Sequence, residues 1–522
     1  MSAEGARRKP NLSGKRTEQY ILFLFFFFWV VAWLTTLIYL QKGKVMEIIE
    51  KIVVEINTYL SNYILLIMLI GVGLFYSIKT KFVQVRCFGE GMKRVFGNIS
   101  LKGKKQSGGL SSFQALATAI AAQVGTGNIV GACGAILIGG PGAIFWMWII
   151  AFFGMATIYA EAILAQKTKY VDENGVVHGG PVYYIKTAFK NNFGKFLAGF
   201  FAVAAILALG FMGAMVQSNS ISNTVNAAFG VPTWVTGLIV AAISAFIFIG
   251  GINRIASVTE KIVPFMAIFY LLSGIVVIAI NITVIPETFA LIFKNAFTPA
   301  AALGGGIGAA ITQGAKRGLF SNEAGMGSTP HAHALAKVKE PHEQGVSAMI
   351  GVFIDTFIVL TMTALIVIST LYTGNGALSD YVATGDTTLS GAVLSNATMA
   401  QEAFAQTFNS ANFGNIFVAI CLFFFAFSTI ISWNYFGKVN FEYLFGKKML
   451  IVYSFLSIIF VFLGSILSNS LVWELTDMFN NLMVVPNVIA LVALSSMVVS
   501  STKFGKNKNI PTIPDTQIPA EE

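Results

Sequence analysis

One long apolar segment of this 522-residue chain is interrupted by Gln123-Val124-Gly125-Thr126-Gly127-Asn128. Because a glycine costs about 1 kcal/mol in a helix interior, this stretch predicts a broken helix. In a bilayer, the freed backbone groups are tolerated only where they line a protein cavity. A second break is predicted by Leu303-Gly304-Gly305-Gly306-Ile307-Gly308. Two such breaks, each early in one half of a long helical core, are typical of the binding site of a secondary transporter.

The composition places most of the chain in lipid. Apolar residues make up 55% of it and charged residues only 11%, whereas a soluble protein carries about 25% charged residues. The three cysteines predict no disulfide framework, and none has metal-ligand spacing. The net charge of +10 is interpreted as an orientation signal rather than as a nucleic-acid surface, so no nucleic-acid partner is expected.

Apolar runs of membrane-spanning length predict an all-α polytopic membrane protein with twelve spans. The predicted spans are 20–40, 60–78, 110–138, 142–166, 196–218, 232–251, 262–284, 299–315, 345–371, 411–437, 449–467 and 473–500. With both termini cytoplasmic, only Lys42, Lys44, Lys51 and Lys294 fall outside, and the other 30 of the 34 basic residues fall inside. This asymmetry follows the positive-inside rule and predicts a multi-pass protein of the cell membrane.

Four regions are expected along the chain. Residues 1–54 are predicted as a cytoplasmic N-terminus with an extra anchor helix, and residues 55–105 as a further helix with a basic inner loop. Residues 106–502 are predicted as a ten-helix transporter core, and residues 503–522 as a disordered cytoplasmic tail. The run at 20–40 also resembles a signal peptide, but it is too long for the apolar part of one and lacks a small-residue cleavage site.

The core divides into two repeats, at about 106–290 and 291–502, whose first helices carry the two predicted breaks in opposite orientations. This arrangement predicts a five-plus-five inverted repeat with broken first and sixth core helices, preceded by two N-terminal helices. The alternative is that these glycines only allow close helix packing. The polar Thr126 and Asn128 at the first break favour a binding site.

A broken helix offers charges of both signs to a zwitterion. The amides near Gly125, Thr126 and Gly127 are expected to bind a carboxylate, and the carbonyls around Gly304 and Gly305 an ammonium group. Carbonyls around Ala121 and Val124 are candidates for a cation. A hard cation also needs side-chain oxygens, which Ser428 and Thr429 offer, although both hydroxyls could instead bond to their own helix. Gln217 is either a pocket wall or a contact between helices.

Three carboxylates fall at membrane depth, where ionisable groups are functional by default. Glu161, Glu323 and Asp355 could relay protons, bind a cation or tie a loop to a helix. Glu323 is expected to cap loop amides. His331 and His333 suggest a metal, but without a further clear ligand they are expected to lie in a solvated loop.

The stretch 139–154, GGPGAIFWMWIIAFFG, resembles the signature of the alanine or glycine:cation symporter family along its whole length. The stretches 125–128, GTGN, and 319–328, LFSNEAGMGS, are also similar to patterns of that family, and the resemblance covers about residues 55–500. The segment before residue 55 departs from the family pattern. The family is similar in architecture to the bacterial leucine-transporter fold within the amino acid-polyamine-organocation superfamily.

The resemblance implies site residues as well as a fold. Gly125-Thr126-Gly127-Asn128 and Gly306-Ile307-Gly308-Ala309 match the breaks of the first and sixth helices of the leucine-transporter fold. Ser428 and Thr429 match the hydroxyls of its sodium site, and Ala121 and Val124 correspond to the carbonyls of that site. The resemblance further implies that Gln217 and Trp433 are pocket residues and that the substrates are small.

The leading hypothesis is import of alanine or glycine coupled to Na⁺ by alternating access, with Na⁺ as coupling ion and no cofactor. Proton coupling through Glu161 or Asp355 is the alternative within transport. A channel or a non-transporting amino-acid sensor is the alternative of another class. An enzyme is not expected, because the chain shows no nucleophile triad, metal cluster or phosphate loop. Oligomeric state and stereochemical preference are left open by the sequence.

Overall fold

The computed structural model describes residues 44–97, 110–173, 175–297, 308–374, 376–379, 388–389 and 392–502. The predicted span at 20–40 and the predicted tail at 503–522 lie outside these residues, as do Gly304, Gly305, Gly306 and Ile307. The described part is almost entirely helical, which confirms the predicted all-α class. Two short antiparallel hairpins are the exceptions, pairing Tyr170–Val171 with Val177–His178 and Thr388–Leu389 with Ala392–Val393.

The helices of the described residues fall into three geometries. The α-helices are Lys44–Tyr59, Leu66–Lys79, Val83–Arg86, Phe88–Phe96, Ser112–Gln123, Ala132–Gly139, Ala143–Thr168, Pro181–Ala188, Asn192–Ala205, Ala214–Phe229, Thr233–Ile249, Gly251–Ile280, Ile285–Ala296, Ala309–Asn322, Pro330–Leu335, Pro341–Val352, Thr361–Val367, Met399–Thr407, Ala411–Phe445, Leu450–Gly464, Asn469–Ala493 and Ser495–Ser500. The π-helical segments are Leu60–Leu65, Gly127–Gly131, Ile206–Gly213, Phe353–Leu360 and Ile368–Tyr372. The 3₁₀ turns are Ile282–Val284 and Lys447–Met449.

Eight helical runs in the described residues are long and apolar enough to cross a membrane. A ninth is counted if the bent pair Ser112–Gln123 and Gly127–Gly139 forms one span. The predicted span at 232–251 corresponds to the shorter apolar helix Thr233–Ile249. The first described helix begins at Lys44, well before the predicted start at residue 60, and it continues through a π-helical segment to Lys79.

The helix Ala411–Phe445 packs against Ala214–Phe229 and Ser112–Gln123. A second group forms where Ala143–Thr168 packs against Pro341–Val352 and Ala309–Asn322. The broken helix therefore lies between long helices that come from both halves of the sequence. This placement buries its interruption within protein instead of exposing it to lipid.

A capping box fixes the start of the broken helix. The Ser111 hydroxyl accepts from the amide of Gln114 over 3.1 Å, and the Gln114 side chain accepts from the amide of Ser111 over 3.2 Å. Beyond the break, Gly140 turns the chain with a φ of 72° into the helix Ala143–Thr168. A positive φ is accessible to glycine at little cost, so the Gly-Gly-Pro-Gly sequence at 139–142 suits this reversal.

Candidate functional site

The first predicted break is present in the structure. The helix Ser112–Gln123 ends at Val124, whose ψ of 86° is not helical, and the chain resumes as a π-helix at Gly127. The two arms are bent by 44°. Every residue from Gln123 to Gly131 is buried, so the freed backbone groups face protein.

Side-chain oxygen atoms accept hydrogen bonds from the freed backbone amides of the break. The amide of Gly125 donates to Oδ1 of Asn128 over 2.9 Å, and the amide of Thr126 donates to Oε1 of Gln217 over 3.1 Å. The hydroxyl of Thr126 donates to the same Gln217 oxygen over 2.6 Å. The amides of Gly125 and Thr126 are the donors expected to bind a carboxylate. In this conformation, the side-chain oxygens of Asn128 and Gln217 accept their hydrogen bonds instead. Nε2 of Gln217 is buried and has no hydrogen-bond partner among the described residues.

The hydroxyls of Ser428 and Thr429 lie against the end of the first arm. Oγ1 of Thr429 donates to the carbonyl of Ala121 over 2.9 Å and lies 3.3 Å from that of Ala122. Oγ of Ser428 lies 3.5 Å from the Ala121 carbonyl. Both hydroxyls also contact the Phe425 carbonyl of their own helix, at 2.9 and 3.2 Å. The sequence left open whether these hydroxyls bond within their own helix or contact the break. In the structure they do both.

Glycine at position 125 lets the break approach the helix Ala411–Phe445. A Cβ atom there would overlap Oγ1 of Thr429 and would lie 3.3 Å from Oε1 of Gln217. At Gly127, a Cβ atom would lie 3.0 Å from the Phe320 ring. The two glycines are therefore required by close contacts on two sides, in addition to interrupting the helix.

Asp355 links the break to two other helices. Its Oδ1 accepts from Nδ2 of Asn128 over 2.6 Å, and its Oδ2 accepts from the hydroxyls of Ser321, over 2.9 Å, and Thr356, over 2.8 Å. All four side chains are fully buried. The sequence indicated Asp355 as a buried carboxylate but gave no sign that it lies beside Asn128. The result is a cluster of hard oxygen atoms next to the break.

The structure has a second buried interruption that the sequence analysis did not predict. The helix Ala309–Asn322 ends at Glu323, and the chain crosses 323–329 before the short helix Pro330–Leu335. Glu323, Gly325 and Gly327 have positive φ values of 59°, 94° and 83°. The glycines of the Ala324-Gly325-Met326-Gly327 stretch were the available signal, because two closely spaced glycines permit such a turn.

The expected role of Glu323 as a cap of loop amides is wrong, because Glu161 caps them. The carboxylate of Glu161 accepts from the amides of Gly325, over 3.2 Å, and Gly327, over 3.1 Å. Asn487 also donates to it over 2.6 Å. Glu161 reaches this turn from a different helix, Ala143–Thr168, and such long-range contacts leave no trace in local sequence.

Glu323 instead accepts from Nε1 of Trp433 over 2.6 Å and from the hydroxyl of Ser328. Trp433 is completely buried, with its ring edge-on to Phe320 at 5.6 Å between centroids. Phe320 also contacts the first break at Gly127. The second interruption and the first break are thereby joined through one aromatic pair.

His331 and His333 are buried, so the expectation that they lie in a solvated loop is wrong. Nδ1 of His331 lies 2.6 Å from the Ser328 carbonyl, and its Nε2 lies 2.9 Å from the Asn440 amide. The Gln344 amide lies 2.9 Å from Nδ1 of His333. Because both rings bind neighbouring elements, they pack the turn against the bundle.

A buried charge cluster lies beside the first break and was missed by the sequence analysis. Asp477 pairs with Lys316 at 2.9 Å and with Arg317 at 3.1 Å. Lys316 also pairs with Glu474 at 3.3 Å, and the Arg317 guanidinium lies over the Trp473 ring at 4.3 Å. The signal that could have identified it was the adjacent basic pair Lys316-Arg317 together with Glu474 and Asp477 in a largely apolar helix.

The chain is similar to known transporters over most of its length. It is 41% identical over 450 residues to the "Sodium/alanine symporter AgcS" of Methanococcus maripaludis, with 86% of this chain and 95% of that protein covered. It is 39% identical over 458 residues to the "Probable sodium/glutamine symporter GlnT" of Bacillus subtilis, with 88% and 91% covered.

Among solved structures, the crystal structure of MhsT in complex with L-phenylalanine superposes with a TM-score of 0.55 at 13% identity. The superposition covers 77% of this chain and 95% of MhsT. This likeness confirms the fold class predicted from the sequence, that of a leucine-transporter-like membrane protein. The profile of the sodium:alanine symporter family matches residues 46–511, and the chain belongs to this family of cation-coupled amino acid symporters.

Proposed function

We propose that this protein imports alanine or glycine together with Na⁺ by alternating access. The observation that carries the proposal is the buried first break, whose amides and carbonyls lie beside uncharged polar side chains. A zwitterion needs donors for its carboxylate and acceptors for its ammonium group. The freed backbone groups of a broken helix supply both without placing a net charge in the membrane.

The substrate carboxylate binds at the amides of Gly125 and Thr126. In the structure these amides donate to Asn128 and Gln217, and a carboxylate oxygen replaces those acceptors when substrate enters. The unpartnered Nε2 of Gln217 then donates to the carboxylate, which satisfies a donor that is otherwise costly to bury. Gln217 acts as a binding residue that exchanges one partner for another.

The coupling ion binds between the hydroxyls of Ser428 and Thr429 and the carbonyl end of the first arm. Ala121 supplies one carbonyl, and Val124, at the break, supplies another. Oxygen ligands suit a hard cation, and every residue of this set is buried. One charge that moves through 100 mV contributes about 2.3 kcal/mol to accumulation, so Na⁺ entry can drive uptake.

Large aromatic rings packed beside the break favour a small substrate. Phe320 and Trp433 pack edge to face beside the break, and Gly213 lies so close to Trp433 that a Cβ there would overlap the ring. Glutamine is the second candidate substrate, because a relative of 39% identity carries the name of a sodium/glutamine symporter. Its longer side chain requires movement of one of these rings.

The membrane arrangement is part of the proposal. The protein lies in the cell membrane with both termini in the cytoplasm, as its basic residues indicate. Substrate and Na⁺ enter from the outside and leave to the inside.

The test is uptake of radiolabelled alanine into proteoliposomes, with an inward Na⁺ gradient compared with equimolar K⁺. Saturable uptake that requires Na⁺ and is inhibited by unlabelled glycine, but weakly by glutamine, is the expected result. Stronger inhibition by glutamine than by glycine favours the second substrate. Equal uptake in Na⁺ and K⁺ that is abolished when a pH gradient collapses contradicts Na⁺ coupling and supports proton coupling through Glu161 or Asp355.

A further inference from the structure

A thiol, a carboxylate and an imidazole converge where the short helix Phe88–Phe96 packs on the first turn of Pro341–Val352. The ligand atoms of Cys87, Glu90 and His342 all lie within 4.8 Å of one another. Cys87 and His342 are buried, and Glu90 is partly exposed. The three groups therefore share one small volume that solvent can reach beside Glu90. None of them belongs to the site described above.

Neighbouring side chains orient two of the three groups. Nδ1 of His342 lies 2.7 Å from the Tyr159 hydroxyl, and its Nε2 faces Oε2 of Glu90 at 3.5 Å. The other Glu90 oxygen, Oε1, is held by Arg94 at 3.3 Å. Each of these two ligands thus has one atom bound by an outer partner and one atom directed into the cluster. Metal sites in proteins commonly have such outer partners, which fix the orientation of the ligands.

We propose that Cys87, Glu90 and His342 form a binding site for Zn²⁺. A thiolate, a neutral imidazole and a carboxylate are the ligand types that zinc prefers, and three of them leave a fourth tetrahedral position for water. The thiolate selects zinc over Mg²⁺ and Ca²⁺, which favour oxygen ligands. In a tetrahedral zinc site, ligand atoms lie about 3.5 Å apart, so the observed cluster needs only a small contraction.

Binding requires one tautomer of His342 and one proton release. With its proton on Nδ1, the ring donates to the Tyr159 oxygen and directs the lone pair of Nε2 into the cluster. The Cys87 thiol gives its proton to water as the metal binds. In the other tautomer, Tyr159 donates to Nδ1 and Nε2 donates to Glu90, which gives a metal-free hydrogen-bond chain. Metal and proton therefore compete for this cluster.

Under the proposed alternating-access mechanism, the bound metal affects transport by tying the helix Phe88–Phe96 to the helical run that begins at Pro341. The Phe88 ring contacts Phe353 edge-on at 4.8 Å, and a Cβ at Gly91 would lie 2.8 Å from the Val346 carbonyl. The same helical run continues to Asp355, which contacts the first break. A metal that clamps Phe88–Phe96 to this run opposes its displacement during alternating access. Zn²⁺ that reaches the cluster from the side on which Glu90 is exposed, the cytoplasmic side in the proposed orientation, is thus expected to slow uptake.

The test uses Co²⁺ as a spectroscopic substitute for Zn²⁺ on the purified full-length protein in nanodiscs. We expect a thiolate-to-metal absorption band that saturates at one Co²⁺ per chain and disappears when Zn²⁺ is added. The band should vanish in Cys87→Ser and persist in the matched control Cys421→Ser, which removes a buried thiol of the helix Ala411–Phe445. Size-exclusion chromatography of both variants checks that they are folded.

Glu90→Gln provides a second test at a partly exposed position where folding is not at risk. It should weaken Zn²⁺ binding by at least tenfold, measured by competition with a chromophoric chelator. Absence of the band in the unmodified protein, or its survival in Cys87→Ser, overturns the proposal and leaves the hydrogen-bond chain as the whole role of the cluster. Because metal binding is measured without transport, this outcome is independent of whether the symport proposal holds.

Discussion

Oε1 of Gln217 accepts two hydrogen bonds from Thr126, one from its amide at 3.1 Å and one from its hydroxyl at 2.6 Å. Gln217 belongs to the helix Ala214–Phe229 and Thr126 to the break. The contact places a neutral acceptor where the proposed substrate carboxylate binds. It also stabilises the freed amide of the break when no substrate is present.

Gln217→Met should therefore weaken substrate binding while the helix keeps its packing. The substitution preserves most of the volume but removes both the acceptor for Thr126 and the donor for the carboxylate. A hydrogen bond to a charged group contributes about 1.5–3 kcal/mol, so the KM for alanine should rise by about ten- to a hundredfold. The control is uptake by Ser220→Ala. This variant removes a buried hydroxyl of the same helix that has no hydrogen-bond partner among the described residues. An unchanged KM in Gln217→Met contradicts the assignment.

The double variant Ser428→Ala and Thr429→Ala should lose Na⁺ stimulation of uptake. The two hydroxyls are the side-chain oxygens proposed for the ion, and the remaining carbonyls leave it under-coordinated. The Na⁺ concentration for half-maximal uptake should rise at least tenfold. Thr476→Ala is the matched control, because its hydroxyl donates to the Val472 carbonyl of its own helix. Normal Na⁺ dependence in the double variant places the ion elsewhere.

Gly125→Ala should abolish uptake without unfolding the protein. The added methyl group overlaps Oγ1 of Thr429 and separates the break from the helix Ala411–Phe445. Overpacking of this kind costs about 1–3 kcal/mol, which the bundle can absorb but the site geometry cannot. Gly71→Ala, where no atom lies within 4 Å of the new methyl group, should transport normally. Full activity of Gly125→Ala would refute the close approach.

Glu161→Gln should lower stability more than it changes coupling. One carboxylate oxygen accepts from Gly325 and the other from Gly327 and Asn487, so an amide NH₂ necessarily faces a donor. An unsatisfied buried donor costs about 1–3 kcal/mol, measurable as a lower unfolding midpoint in detergent. The exposed Glu55→Gln should leave that midpoint unchanged. If Glu161→Gln keeps its stability but loses the response to a pH gradient, Glu161 is a proton relay.

Asp477→Asn should destabilise the protein strongly, because it leaves Lys316 and Arg317 buried with reduced compensation. Removing one partner of a buried ion pair costs about 3–5 kcal/mol. Asp477→Asn combined with Lys316→Met should recover part of the loss, since it removes one uncompensated charge. The measurement is the unfolding midpoint of the single and double variants. Equal midpoints for the original protein and Asp477→Asn contradict a structural role for the pair.

The sequence predicted the parts of the site that depend on local chemistry. Glycines beside polar residues indicated the break at 124–128, because their backbone preferences are local. Asp355 and Glu161 were recognised as buried carboxylates, since ionisable groups in apolar runs are visible in sequence alone. The predicted break at Gly304–Gly306 lies outside the described residues. The turn at 323–329 was overlooked, although its glycines follow the same rule as those of the first break.

The amino-acid sequence by itself determined the helical membrane class, the family and the position of the first break, because hydropathy, signature motifs and glycine spacing are properties of neighbouring residues. Only the tertiary structure decided which buried polar side chains contact one another. Glu161 caps the turn and Glu323 binds Trp433, while Asp355 meets Asn128 and Cys87 meets His342. These pairs are far apart in sequence, and their proximity depends on how the long helices pack rather than on any local preference.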